Sequence, residues 1–467
     1  MEYFTLLGAA TVVIVALAAA LYLQRRDLGL VVGIAALYYW SLYGAWSIIL
    51  DKTGGFSGQH YHYLETKMFP IALDEQYLLT LALYAGFIIL VELTLLAGLS
   101  HKRERPIPRL VLRHEAILFA GFAAGLVSFL VIRNQLSFAW ATHTSAYSYT
   151  RANGGQWFTL HQVLNRVALI PPAIGLATLA AGRRSRFFVN VSRRYTFWAY
   201  LVLAAAMGAF TLVLGNKNEV FTALLTGILA YAGSVRRPKW WKLGLVLIAG
   251  LWFLAAVDFF RATPVSRIGE AVFTRGQNSD DVSHFVTTSN EAFAAHFSMY
   301  GVLAAGTTPQ FGYSLYSLAC SVVPRVLWPE RPRDIYLYYS ESVGTIQNQG
   351  YSLHHATGWY LNFGIAGVAL GAMLLGLIWT ACLNAHQRIR RRSGLLYRLF
   401  AIIGPWVLVA GLPPLIRAGP EGYKGLLIES FLIPLGVLLV ACRPRRSARR
   451  VGRTHETVSF RADPVPQ

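Results

Sequence analysis

The chain has 467 residues, 55% of them hydrophobic and only 14% charged, with a mean hydropathy of +0.44. Soluble globular chains carry about 25% charged residues, so this composition excludes a soluble domain and indicates a polytopic membrane protein. The formal charge of +20 raises the question of a nucleic-acid binder, and its distribution along the chain answers against one.

Crossing about 30 Å of hydrocarbon at about 1.5 Å per residue takes roughly 20 apolar residues. By that measure the sequence predicts about eleven spans: 4–23, 28–50, 77–99, 115–132, 164–182, 197–215, 219–234, 243–259, 364–384, 399–416 and 425–442. The first has no basic run or small-residue cleavage motif ahead of it and reads as a retained span. Lysine and arginine collect in alternate links: Arg25-Arg26, Lys102 to Arg113, Arg183 to Arg194, Arg236 to Lys242, Arg388 to Arg398 and the tail from Arg443. About 28 of the 42 basic residues lie there with about 5 acids, which sets the N-terminus outside and the C-terminus in the cytoplasm. The outer face is then near neutral. The basic tail reads as a topology signal against anionic membrane lipids, and nucleic acid is not an expected partner.

The organisation that follows is eight transmembrane helices over 1–258, a large outer loop over 259–363, three more helices over 364–442 and a basic cytoplasmic tail over 443–467. Within the loop, Ala292 to Gly306 and Tyr313 to Val323 are apolar but too short to span, which predicts interfacial or re-entrant helices in a partly helical lid. Cys320, Cys382 and Cys442 are too scattered for a disulfide framework.

The basic links hold few carboxylates and no glycine-rich phosphate loop, so a cytosolic nucleotide-driven reaction is not expected. The close histidine pairs His60-x-His62 and His354-His355 lack the spacing of a helical zinc motif, and no metal or other cofactor is called for. What remains is a set of cations at the outer boundary, among them Arg151, Lys217, Arg267, Arg325, Arg331 and Arg417. A guanidinium grips phosphate oxygens bidentately at any relevant pH, which suits a lipid-linked phosphate or pyrophosphate. The competing account is a cation snorkelling to headgroups. Arg325 and Arg331 stand apart because flanking prolines fix their backbone. Lys217 stands apart because its turn leaves almost no loop. His354 and His355 are the titratable candidates for deprotonating a hydroxyl, or else a polar pair capping the span that starts near Gly364. Aromatic residues of the same links could stack on sugars or form an interfacial belt.

The run Val323-Pro324-Arg325-x-x-Trp328-Pro329-x-Arg331-Pro332, followed by Thr357-Gly358-x-Tyr360-Leu361-Asn362-Phe363-Gly364-x-x-Gly367, resembles the Wzy-type O-antigen and exopolysaccharide repeat-unit polymerases. So do the Gly215-x-Lys217 turn, where that family often has arginine, and the late outer loop. The resemblance implies an all-α, GT-C-like membrane glycosyltransferase of the bacterial inner membrane. It would transfer a glycan from undecaprenyl pyrophosphate to a lipid-linked oligosaccharide repeat unit, without metal or nucleotide. A chain-length-regulating membrane protein is a possible partner in that family. His354 or His355 approximates a histidine that precedes a similar stretch in the related O-antigen ligases. A ligase of the same fold, or a transporter of lipid-linked glycans, are the other readings.

Overall fold

The computed structural model describes the chain except residues 53–70, 101–108, 154, 192, 216, 236–237, 262, 268–290, 324–326, 346–351, 391–392 and 445–467. It is about 81% helical, and among the described residues nine helices are long and apolar enough to cross a membrane. The protein is an all-α, multi-pass membrane protein.

In chain order, α1 is Glu2–Arg25, and α2 (Leu28–Tyr38) runs through a π-helical turn, Tyr39–Tyr43, into α3 (Gly44–Lys52). Then come α4 (Glu75–Gly98), α5 (His114–Ala141), the short α6 (Ala146–Asn153), α7 (Gly155–Ala181), α8 (Thr196–Leu214), α9 (Lys217–Ser234) and α10 (Trp240–Arg261). The late loop contributes α11 (Glu291–Ala304), α12 (Tyr313–Cys320) and α13 (Ile335–Val343). The chain closes with α14 (His355–Gln387), α15 (Leu395–Ile416) and a span in which Gly422–Lys424 leads into π-helical Gly425–Leu432 and then α16 (Ile433–Ala441). Of the eleven expected spans, those at 219–234 and 243–259 are α9 and α10, helices outside the nine. In α9 the opening Lys217-Asn218-Glu219 dilutes an otherwise apolar 18-residue helix.

The helices sort by burial. In α15, 89% of the apolar window is buried inside the protein, against 22% in α1. Leu399, Ile402, Val407, Leu412 and Ile416 therefore form the axis of the bundle, and α1 presents its valines to lipid.

The links separate into two faces. Arg25 donates to the carbonyls of Ser100 (2.6 Å) and Leu383 (3.1 Å), tying the ends of α1, α4 and α14 together. On the same face three links build a small sheet, β1 (Leu110–Arg113) between parallel β2 (Phe188–Val191) and antiparallel β3 (Cys442–Pro444). Leu110 stands opposite Phe188 on one side and Pro444 on the other. Arg186 N–H joins this face to the end of α9 through Ser234 O (2.9 Å). The basic links thus gather on one face. At the far end Tyr3 and Tyr300 both reach Asp74, and Leu353 forms a parallel bridge with Ala418.

Two expected features take definite form. The short helix α11 packs inside the protein. Ala292, Phe293, His296, Phe297, Met299 and Tyr300 are buried, and Tyr84 Oη donates to the carbonyls at Ala295 and His296 (both 3.0 Å). The span expected at 364–384 is preceded by a helical stretch from His355, and the two are divided by a kink at Phe363–Gly364, where Gly364 takes φ 61°, ψ −146°, a conformation open essentially to glycine alone.

Candidate functional site

The segment Leu353–Gly367 is the hub of the face opposite the basic links, and its motif residues are there for packing. A Cβ on Gly358 would come within 2.4 Å of Pro420, and one on Gly367 within 2.1 Å of Trp359 O. The glycines therefore let the 417–424 link and the kinked helix close on this segment. Asn362 accepts from Ser314 N–H (3.1 Å) and donates to Gly358 O (2.7 Å), fixing α12 on α14. Thr357 Oγ1 meets Tyr84 Oη (3.2 Å) and Ser298 Oγ (2.9 Å).

His354 and His355 are both fully buried. Ala356 N–H donates to His354 Nδ1 (3.1 Å), so the proton sits on Nε2 and goes to Ser41 Oγ (2.9 Å) in the π-helical turn of α2. Trp359 Nε1–H donates to His355 Nε2 (3.1 Å), so His355 Nδ1–H donates to Gly419 O (2.8 Å). All four ring nitrogens are engaged and both rings are neutral. Burial first, then the nearby His355 and His296 rings, hold the His354 imidazole well below the usual histidine range. In this arrangement neither histidine is placed to take a proton from an incoming hydroxyl. His354 caps α14, and His355 clips that helix to the 417–424 link. His296 joins them, with Nδ1–H on Ser41 O (2.6 Å) and Nε2 accepting from Tyr77 Oη (3.1 Å).

The cations fare differently. Arg417 caps the end of α15, and its carbonyl accepts from Leu353 N–H (3.1 Å). Its guanidinium lies over the Trp40 ring (5.4 Å to the centroid) and reaches Asn218 Oδ1 (3.5 Å) at the start of α9. Lys217, half-buried, is the first residue of α9, after Gly215 turns the chain at φ 65°. Below them Arg166 of α7 pairs with Glu429, donates to Gly425 O (3.3 Å) and stands 4.0 Å from Glu219. Arg166 and Glu429 are each only 15% exposed and Glu219 3%, so the cluster is largely cut off from water. Glu429 belongs to the π-helical Gly425–Leu432, and Trp40, under Arg417, to the π-helical Tyr39–Tyr43; such turns recur at functional sites.

A second group lies on the same link. Glu421 Oε1 accepts from Ile335 N–H (3.1 Å) at the start of α13. Burial pushes its carboxyl up to about 7, and Asp334 adds to this, while the Ile335 N–H, Ser317 and Arg331 pull it back. Arg331 also donates to Ser321 O (3.0 Å) and Val323 O (2.9 Å), so it staples the proline-rich turn it belongs to.

The structure therefore brings Lys217, Arg331, Arg417, His354 and His355 to one face. Arg267 follows the end of α10, at the end of the bundle where α9 starts, and is exposed on the turn Val265–Arg267, whose Ser266 Oγ meets His143 Nδ1 (2.7 Å). Arg325 lies outside the described residues, and of Arg151 only the backbone, in α6, is described. Sequence reasoning passed over Glu421, Glu219 and Trp40. The available signal for Glu421 was a carboxylate set between Gly419-Pro420 and Gly422 in a link that also carries Arg417 and Lys424. Among the described residues no group of three or more histidine, cysteine or acidic side chains is arranged to hold a metal.

Fold and site together define a multi-pass helical membrane protein in which Arg166, Glu219 and Glu429, and Arg331 and Glu421, are grouped away from its basic links. No protein-family model matches the chain, and no curated protein or solved structure is detectably similar to it.

Proposed function

We propose that the protein is a GT-C-like glycosyltransferase of the bacterial inner membrane. It polymerises lipid-linked oligosaccharide repeat units on the outer leaflet for an O-antigen or exopolysaccharide. The observation that carries this reading is the convergence on the 417–424 link: Arg417 beside the start of α9, and Glu421 beside Arg331, across the bridge to Leu353. The basic links, on the opposite face, favour the cytoplasm, so this face is directed outward with the N-terminus.

In the reaction the acceptor sugar hydroxyl gives its proton to the Glu421 carboxylate. Its oxygen bonds to the anomeric carbon of the donor, and the bond from that carbon to the pyrophosphate oxygen breaks. Undecaprenyl pyrophosphate leaves with the electron pair, and Arg417 and Lys217 receive its charge without reorganising. A carboxyl near 7 is matched to this task, since general bases work best with a pKa close to the working pH. Glu421 thus takes the role that the resemblance gives to His354 or His355.

The test is incubation of purified protein with one undecaprenyl-pyrophosphate-linked oligosaccharide. A ladder of products is the expected result. Transfer only to an added lipid A–core acceptor makes the protein a ligase, and no transfer to either rejects the glycosyltransferase.

A further inference from the structure

The π-helical turn Tyr39–Tyr43, which interrupts the helical run from α2 to α3, is held by side chains far along the chain. Ser41 Oγ accepts from His354 Nε2–H (2.9 Å), and Ser41 O accepts from His296 Nδ1–H (2.6 Å). Ser41 and both rings are buried. A side chain bonded into the backbone ladder is a known cause of such irregularities in helices. Adjacent residues of a helix point to different sides, so the bonds that fix Ser41 inward also set the direction of Trp40. Trp40 is half-buried, packs against the main core, and is met edge-on by the Tyr39 ring (5.7 Å, 87°). Its indole lies under the Arg417 guanidinium, 5.4 Å from the ring centroid.

Arg417 is fixed at its other end as well. Its carbonyl accepts from Leu353 N–H (3.1 Å), and from the end of α15 its side chain runs over Trp40 to Asn218 Oδ1 (3.5 Å). Arginine has many rotamers, and ordering a mobile one when a ligand arrives costs affinity. A ring face orders the guanidinium beforehand. It sets the plane of the group and leaves the N–H edge, the part that matches phosphate oxygens, to other partners. Indole is the best of the ring faces for this. His354 and His296, which take no proton from substrate, thereby act on the site at one remove, through the turn that carries Trp40.

We propose that Trp40 is a positioning residue for the transfer reaction. Its ring, set by the two bonds to Ser41, holds the Arg417 guanidinium ready for the pyrophosphate of the lipid-linked donor; for the identity of that ligand this rests on the glycosyltransferase reading.

Two measurements on the purified protein test it: the affinity for farnesyl pyrophosphate, read from a saturable rise in unfolding temperature, and kcat/KM for transfer from an undecaprenyl-pyrophosphate-linked oligosaccharide. Trp40→Leu should lower both by about fivefold, the order of one cation–π contact. Trp40→Phe keeps a weaker ring face in place and should lose about twofold, which carries the test if the leucine variant accumulates poorly. Arg417→Gln, in which Lys217 still binds, is the decisive background: a ring that acts through the guanidinium has no further effect there. The same loss in both backgrounds makes Trp40 a packing residue and overturns the proposal. So does unaltered affinity in Trp40→Leu, or no saturable effect of farnesyl pyrophosphate on the wild type. Binding that depends on Trp40 only when Arg417 is present, with no transfer, sinks the glycosyltransferase reading and leaves the positioning role standing. A product ladder with no coupling between Trp40 and Arg417 does the reverse.

Discussion

Both ends of the bundle gather arginine, and the company those arginines keep is different. On the basic face Arg25 is used on the carbonyls of Ser100 and Leu383, and the neighbouring links carry few acids. There the positive charge is a collective property, the kind that orients a chain against anionic lipid. On the opposite face Arg166 meets Glu429 and Glu219, Arg417 meets an amide and an indole ring, and Arg331 and Asp334 act on Glu421. Each charge there has its own neighbours and position. A net count distinguishes the two faces poorly, whereas the partners of each charge separate a topological signal from a site.

The largest expected effect comes from breaking the buried pair. Arg166→Ala leaves Glu429 and Glu219 without their cation, and removal of one partner of a buried pair costs about 3–5 kcal/mol. The variant should unfold at clearly lower temperature and accumulate poorly in membranes; unfolding at the wild-type temperature would show that the cluster is not a unit. Glu421→Gln should act on turnover instead, lowering it by about 10²–10⁴-fold, the usual worth of a general base. In wild type, turnover rises with pH through about 7 as this carboxyl ionises, and the variant should lose that limb. Stability moves the other way. Its folded value lies above the unfolded one of about 4.3, so the stabilisation it contributes is complete below that pH and is lost as pH rises through about 7. At pH 8 the glutamine variant should be at least as stable as wild type, and a less stable variant with an unchanged pH profile would make Glu421 structural.

Smaller effects are expected at the histidines. His355→Ala orphans the Trp359 N–H and Gly419 O, a cost of about 1–3 kcal/mol, and His354→Ala removes the cap of α14 at similar cost. Turnover per folded molecule should stay within about tenfold of wild type, because neither ring takes the proton. Turnover abolished at unchanged stability would return the base to the histidine pair. Smallest of all is Lys217→Arg, which keeps the charge at the start of α9 and should leave product length on a gel unaltered.

The bundle was legible in the sequence because apolar length is a direct consequence of the hydrocarbon thickness, and the alternation of basic links is a consequence of the membrane field. The same rules left out the helical stretch ahead of the span at 364–384. His355–Asn362 is polar enough to read as loop, yet it is helical because Asn362, Thr357 and His355 find partners inside the protein. The gathering of Lys217, Arg331 and Arg417 on one face follows from topology. Their individual duties do not, since Arg331 is committed in part to Ser321 O and Val323 O, which no spacing rule anticipates. The proposal assigns the base to Glu421 in place of the histidines for a similar reason. Residue type suggests imidazole as the base, but burial and bonding decide which group can titrate, and those depend on contacts between Leu353–His355 and the 417–424 link.

The account rests on the two faces lying on opposite sides of the membrane, with the carboxylate-bearing face outward. Ala418 and Arg184 are exposed on the two faces, and the native Cys320, Cys382 and Cys442 are buried. Labelling of Ala418→Cys and Arg184→Cys in intact cells with a membrane-impermeant thiol reagent reads the sidedness directly. Ala418→Cys should react from outside and Arg184→Cys only after the membrane is opened; the reverse pattern, or reaction of both in intact cells, would contradict the account.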